Sequence, residues 1–464
     1  MKADLVLRGG TLVIPGQGLV RAGVAIQGGK IRAVAREDVL PSARRVLDVD
    51  GAFVLPGVID PHVHFGLLGN LEEDCRAETR AALAGGVTTV GTFIREPDSH
   101  LKAFGGVSRA FEANSSIDIF PHFEIISEAQ ALEIPECARR FGVTSFKMFM
   151  SGIKGAATPV DDGVLLEAFR QIASLGPAGL AVVHAENAPI IILTRARIGE
   201  RRPEGNLADW ADCHPNLVEE EAVLRSTYLA GKAGCRIYIV HVSTQEALRR
   251  LRELRKGRKD LFAETCTPYL TLTKHSKMGL LAKLIPPLRG EEDREALWGG
   301  MAEGVIDTLG TDNIQRNRAY KQVEAGLIGA KGAATFLEVH LPVLFEEAYH
   351  RRKFPLEKLV DKMTRQPARI FGLFPRKGTL APGSDADLVV VDPDKERVVR
   401  ASDLHTLADF SLYEGKKVRG WPVVTIKGGV VAAEDGRILV EPGCGRVLRR
   451  PLVVPRQGRA VPGR

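Results

Sequence analysis

Little in this chain of 464 residues points to secretion, a membrane or a nucleic acid. Its six cysteines (Cys75, Cys137, Cys213, Cys235, Cys266 and Cys444) are widely spaced and form no Cys-x-x-Cys pair. The opening MKADLVLRGG lacks the pattern of a secretory signal. No apolar run approaches the ~18–20 residues of a transmembrane helix. A cytoplasmic protein with free thiols is expected, with no membrane partner. An excess of positive charge is also missing from most of the chain. The net charge is +7, but residues 444–464 hold six arginines and no acid, and without them 58 basic residues face 57 acidic ones. A nearly neutral body lacks the basic face that nucleic-acid binding requires, and no aromatic residues accompany the tail arginines as a stacking platform. A composition of 44% hydrophobic and 26% charged residues excludes whole-chain disorder and collagen-like repeats.

What is present falls into three textures. Residues 1–55 read as short strands with Gly-Gly and Asp-Gly turns, and the same texture returns in DADLVVVD and VVTIKGGVVAAEDGRI. The middle, 56–375, alternates apolar runs with charged amphipathic segments. The runs are VLPGVIDPHVHF, VTTVGTFI, IDIFPHFE, VTSFKMFM, GLAVVHA, CRIYIVHV, LFAETC and GVIDTLGTD. Apolar strands alternating with helices predict a parallel β/α arrangement, and their number favours a closed barrel over an open doubly wound sheet. The expected fold is therefore α/β: a (β/α)8 TIM-type barrel over 56–375, with a small β-sandwich-like domain built from both chain ends (1–55 and 376–443). The tail 444–464 contains prolines and has no helical period. It is expected to be extended and to lie across a neighbouring subunit.

Chemistry concentrates at the ends of the expected strands. His62 and His64 stand two apart and so point to one side of a strand, at the mouth where barrels of this type carry their active sites. Lys147, His184, His241 and Asp312 occupy corresponding positions on later strands. Buried without partners, such groups would each cost several kcal/mol, on the order of the transfer penalty of polar groups. A pair of divalent ions, most simply Zn2+, would suit four histidines and a carboxylate. Lys147 does not fit such a set as an ammonium, and taken alone it reads as a lysine reaching to the barrel mouth. The other histidines (His100, His122, His214, His275, His340, His350 and His405) read as structural or surface residues, with His122 near enough to strand 3's end to line a pocket. Glu264 and Cys266 fall near the mouth without a role.

The order His-x-His, Lys, His, His, Asp resembles the amidohydrolase superfamily. The words PGVIDPHVHF, AALAGGVTTV, SFKMFM, HAEN, IVHVST, ETCTPYL, IPPLR and PARIFGLFPRKGTLAPGSDADLVVVDP are similar to its hydantoinase and dihydropyrimidinase branch, which is related to allantoinase and dihydroorotase. The likeness spans roughly residues 1–440. It implies that Lys147 is carboxylated by CO2 to N6-carboxylysine, a carbamate able to bridge two metals. It further implies that His62, His64 and Asp312 hold the more buried ion and His184 and His241 the more exposed one, with a hydroxide between them. Attack by that hydroxide would open a cyclic amide, with Asp312 as proton shuttle to the leaving nitrogen. The substrate class implied is a cyclic ureide or imide, such as a hydantoin or dihydropyrimidine, and relatives are homodimers or homotetramers.

The departures touch substrate groups. A tyrosine that in relatives follows the lysine by five positions is here Gly152. The serine preceding PPLR is Ile285, and the histidine after the last aspartate is Asn313. Gly152, Ile285 and Asn313 are thus the candidate substrate-side positions. Phe65-Gly66 stands where dihydroorotases carry an arginine, which argues against a carboxylate-bearing pyrimidine. An allantoinase- or dihydroorotase-like hydrolase and a non-catalytic scaffold remain as alternatives, and metal content separates the scaffold from the enzymes.

Overall fold

Gly57 divides the first long apolar run between two sheets. A Cβ there would collide with Thr88, so only glycine lets the chain pass from one layer into the next. Before it, Phe53–Pro56 joins an antiparallel sheet; after it, Val58–His64 begins a parallel one. The computed structural model describes residues 2–152, 157–450 and 452.

Eight strands follow in chain order, each parallel to its predecessor: Val58–His64, Val87–Ile94, Asp118–Glu124, Ser145–Phe149, Leu180–His184, Ile237–Ile239, Leu261–Cys266 and Thr308–Gly310. Nearly every residue in them is buried, as expected for strands covered on both faces. Asn313–Ile314 returns to pair with Val63 and His64, which closes the ring. The open-sheet alternative is thereby excluded. Helices between the strands start at side-chain caps, such as Asn70 before Leu71–Ala84 and Thr244 before Gln245–Leu254. Three of them stop at left-handed glycines, Gly142, Gly234 and Gly304. Among the described residues no helix is long and apolar enough to cross a membrane, and the cysteines are free.

The chain ends build two further sheets. One has four strands, all within Ala3–Asp48. The other has seven, in which Leu388–Val398 pairs with Phe53–Pro56 from the opposite end of the sequence. Leu5, Leu7, Val24, Val54, Leu388 and Ile426 fill one core between these sheets. The N- and C-terminal segments therefore cannot bury their apolar faces separately.

The tail departs from expectation at its start. Residues 446–448 run beside the third barrel strand, with Ile119 N donating to Arg446 O at 2.9 Å and Leu448 N to Ile119 O at 2.7 Å. Arg450 is buried beneath the barrel and donates to Ser145 Oγ at 2.7 Å and to Pro121 O. These residues lie against their own barrel rather than a neighbouring subunit, because strand 3 offers free backbone partners and Asp118 offers a countercharge. Residues 453–464 fall outside the described set.

Candidate active site

The first strand ends with both imidazoles facing inward, as the two-residue period requires. His62 Nε2 and His64 Nε2 each lie 3.1 Å from Asp312 Oδ1. Across the mouth, His184 Nδ1 and His241 Nε2 converge to 2.8 Å. Lys147 is fully buried, with its ammonium 4.5 Å from the centre of the Phe93 ring and 4.7 Å from that of Phe149. Its Nζ has no hydrogen-bond partner among the described residues. All six residues line one cavity of about 730 Å³.

Two of them stand beyond the strands that the sequence assigns to them. The sixth strand stops at Ile239 and the eighth at Gly310. His241 and Asp312 follow with φ of 42° and 53°, in the left-handed region that non-glycine residues avoid. Leaving the ladder turns both side chains into the mouth, and strain held at such positions is a mark of functional sites. Asp60 secures the second kink: its carboxylate accepts from Thr311 N at 3.2 Å, Thr311 Oγ1 at 2.5 Å and His62 N at 3.0 Å. One buried side chain thus ties the first strand to the turn that carries Asp312.

Buried carboxylates set the histidine tautomers. His62 Nδ1 donates to Glu264 Oε1 at 2.6 Å, which leaves Nε2 free to face the site. Tyr238 OH and the backbone N–H of His241 hold Glu264 in place at 2.7 Å and 3.2 Å. His184 Nε2 donates to Glu186 Oε2 at 2.9 Å, and Glu186 is anchored in turn by His214 Nδ1 at 2.7 Å. Histidines that hold metals are commonly oriented in this way. Burial pushes His62 down, but the Glu264 and Asp312 carboxylates outweigh it and raise its pKa to about 9, so that a proton competes with a cation for Nε2. Burial lowers His64 to about 4, only partly opposed by Asp312. Burial likewise lowers Lys147 to about 8 against the pull of Asp312 and Glu264.

The substrate-side candidates separate. Ile285 lines the cavity. Asn313 does not: its Nδ2 donates to Glu78 at 2.8 Å and its Oδ1 accepts from Phe336 N at 2.7 Å, so both polar ends are spent bracing the scaffold. Gly152 packs towards Pro159 and is not a lining residue. His122 also turns away from the cavity, bonded to Ser145 Oγ at 2.6 Å and Pro61 O at 3.2 Å. Asp60, Glu186 and Glu264 are the groups that sequence reasoning missed or left without a role. Glu186 sits two residues after His184, a spacing that could have flagged it.

Comparison with known proteins now decides the family. The profile described as Amidohydrolase family matches residues 53–432. The chain belongs to that family. Among its relatives, the L-hydantoinase of Paenarthrobacter aurescens is 32% identical, covering 96% of this chain and 98% of its own. The allantoinase of Rubrobacter xylanophilus is 36% identical, covering 96% and 97%. The solved L-hydantoinase (dihydropyrimidinase) from Arthrobacter aurescens superposes with a TM-score of 0.91 at 30% identity, covering 97% of this chain and all of that one. The barrel and its accompanying sheets are thus those of an amidohydrolase. Amidohydrolases generally act through a binuclear metal centre, and His62, His64 and Asp312 form a possible ligand cluster here.

Proposed function

We propose that this amidohydrolase opens a cyclic amide, a ureide or imide of the hydantoin and dihydropyrimidine kind, by hydrolysis of a carbon–nitrogen bond. One observation carries the reading: six side chains from the ends of five strands and the turns that follow them line a single cavity, with the Lys147 amine buried and unpartnered among them. The relatives named hydantoinase and allantoinase support it.

The donor set fits two divalent ions, most simply Zn2+. His62, His64 and Asp312 would hold one, and His184 and His241 the other. Lys147 would join them as a carbamate: its neutral amine adds to CO2, the new N–C bond forms and a proton is lost. Burial, by lowering the lysine's pKa, favours the neutral form that this step needs. When bound, such ions lower the pKa of water and polarise a carbonyl. Asp312 then accepts a proton from the attacking water and delivers it to the departing amide nitrogen, which leaves poorly unless protonated. Glu264 and Glu186 keep His62 and His184 in the tautomers that present a lone pair to the site.

The test is turnover by purified, metal-loaded protein across hydantoins, dihydropyrimidines, allantoin, dihydroorotate and cyclic imides, with metal counted per chain. Opening of at least one ring class supports the reading. No turnover across the set sinks the cyclic-amide assignment. Less than half an ion per chain after metal loading would point instead to a scaffold.

A further inference from the structure

The cavity above the catalytic base carries a charge that an uncharged ring does not require. Its walls include Leu67, Phe149, Trp210 and Ile285, and Asp312 is the one carboxylate among the described lining residues. Three basic side chains besides Lys147 line it: Arg195, Lys283 and Lys331. Lys283 is already satisfied, with its ammonium donating to Leu327 O at 2.6 Å and Ala330 O at 2.5 Å. Arg195 is not. It projects from Ala188–Arg201, the helix that follows His184 almost directly, and its guanidinium carbon lies 4.5 Å from the centre of the Trp210 ring. It makes no hydrogen bond or ion pair among the described residues, and its Nε is buried. Burial pushes the guanidinium below its ordinary pKa, and Glu186 opposes this from nearby. Glu186 forms no ion pair with it, and its two oxygens accept from His184 and His214 instead. Residues 153–156, outside the described set, contain no acidic side chain.

A half-buried guanidinium without a counterion is poorly compensated, and its planar fork of N–H donors matches a carboxylate in two-point contact. We propose that Arg195 recognises a carboxylate on the substrate, so that the substrate class is a cyclic amide bearing an anionic substituent. The inference rests on the hydrolase reading and narrows its substrate. It also reverses an expectation from sequence: the arginine missing after His64 is answered by one from a different element. Lys331, whose ammonium lies 4.6 Å from the centre of the Tyr320 ring, adds positive potential on the same cavity.

The experiment compares hydantoin-5-acetate with its neutral isostere hydantoin-5-acetamide on metal-loaded protein. Wild type is expected to favour the carboxylate by roughly tenfold or more in kcat/KM, the size expected of a hydrogen bond to a charged group, and chiefly through KM. Arg195→Gln should bring that ratio close to one, and Arg195→Lys should retain part of it. Calorimetric binding of the same pair separates the two readings. A carboxylate preference in binding that Arg195→Gln abolishes sustains the inference even if neither compound is hydrolysed, in which case the hydrolase reading alone fails. A wild type with no preference for the carboxylate, or a preference that survives Arg195→Gln, overturns the assignment of Arg195. The wild-type ratio and Arg195→Lys keep the test decisive if the glutamine variant does not fold.

Discussion

The barrel buries charge at both ends, and the two ends differ in whether that charge is already neutralised. At the N-terminal floor, Asp118, Asp385 and Asp387 lie close enough together to hold a metal. Cations have taken that place. Lys377 Nζ stands 2.8 Å from Asp118 and 3.2 Å from Asp385 and also pairs with Asp387. Lys427 reaches Asp118 at 2.9 Å and Arg446 reaches it at 2.8 Å. At the mouth, the histidines and Asp312 gather around a lysine with no hydrogen-bond partner. Proximity of possible ligands is the same in both places. What separates an ion-pair network from a reactive centre is the balance of charge and of hydrogen bonds, since unpaired buried groups persist where a ligand completes them.

The comparison predicts unlike responses to mutation. The largest is at the mouth: Lys147→Ala should lose most of its bound metal and its turnover while staying folded, with partial rescue by short carboxylic acids. Elemental analysis and activity check this, and a variant with two metals and full turnover would refute the bridging role. At the floor, Lys377→Met should leave metal binding intact and lower stability by about 3–5 kcal/mol, as removal of one partner from a buried ion network does. Chemical denaturation measures it.

Acid should separate the ends as well. Burial alone would raise Asp118, but Lys377 and Lys427 hold it below the usual carboxylate range. Its stabilisation is therefore complete above the unfolded value of about 4 and fades as pH falls through the folded one. Metal binding needs neutral histidines and weakens earlier. Metal should leave near pH 5, on the order of the histidine range, before circular dichroism reports unfolding. Simultaneous loss of both would remove the distinction.

Smaller effects sharpen it. Glu264→Gln should cost about 10–100-fold in metal affinity or turnover, the usual weight of a carboxylate that orients a histidine ligand. Titration with a competing chelator reads the change. Arg446→Ala should cost about 1 kcal/mol or less, because its side chain is half exposed and solvent screens its pairing with Asp118. A drop much beyond that in thermal unfolding would mean that the tail anchors the floor more firmly than its exposure suggests.

Much of the fold was legible because its signals are local. Eight apolar runs and their helices follow from periodicity, and glycines such as Gly142 and Gly234 mark helix ends. The six residues that line the mouth were legible because polar residues at the ends of apolar strands are conspicuous. Glu264 and Asp60 were not, since a carboxylate inside a strand looks the same in sequence whether it orients a histidine, braces a turn or forms an ion pair. Asn313 misled for the opposite reason: its neighbour Asp312 turns into the mouth through a left-handed kink, while Asn313 points back into the scaffold. The docking of residues 446–450 carries no periodic signal at all. It depends on free backbone groups at strand 3 and on Asp118, which lie more than three hundred residues earlier.

Sequence alone determined the alternation of strands and helices and which polar residues stand at the strand ends, because both arise from short-range patterns of polarity. Tertiary structure decided which of those polar groups already have partners. It showed that the floor's aspartates are neutralised, that Lys147 is not, and that Arg195 lies over Trp210 on the cavity wall. The physical reason is that charge compensation acts through space between segments distant in the chain, and no local pattern of residues records it.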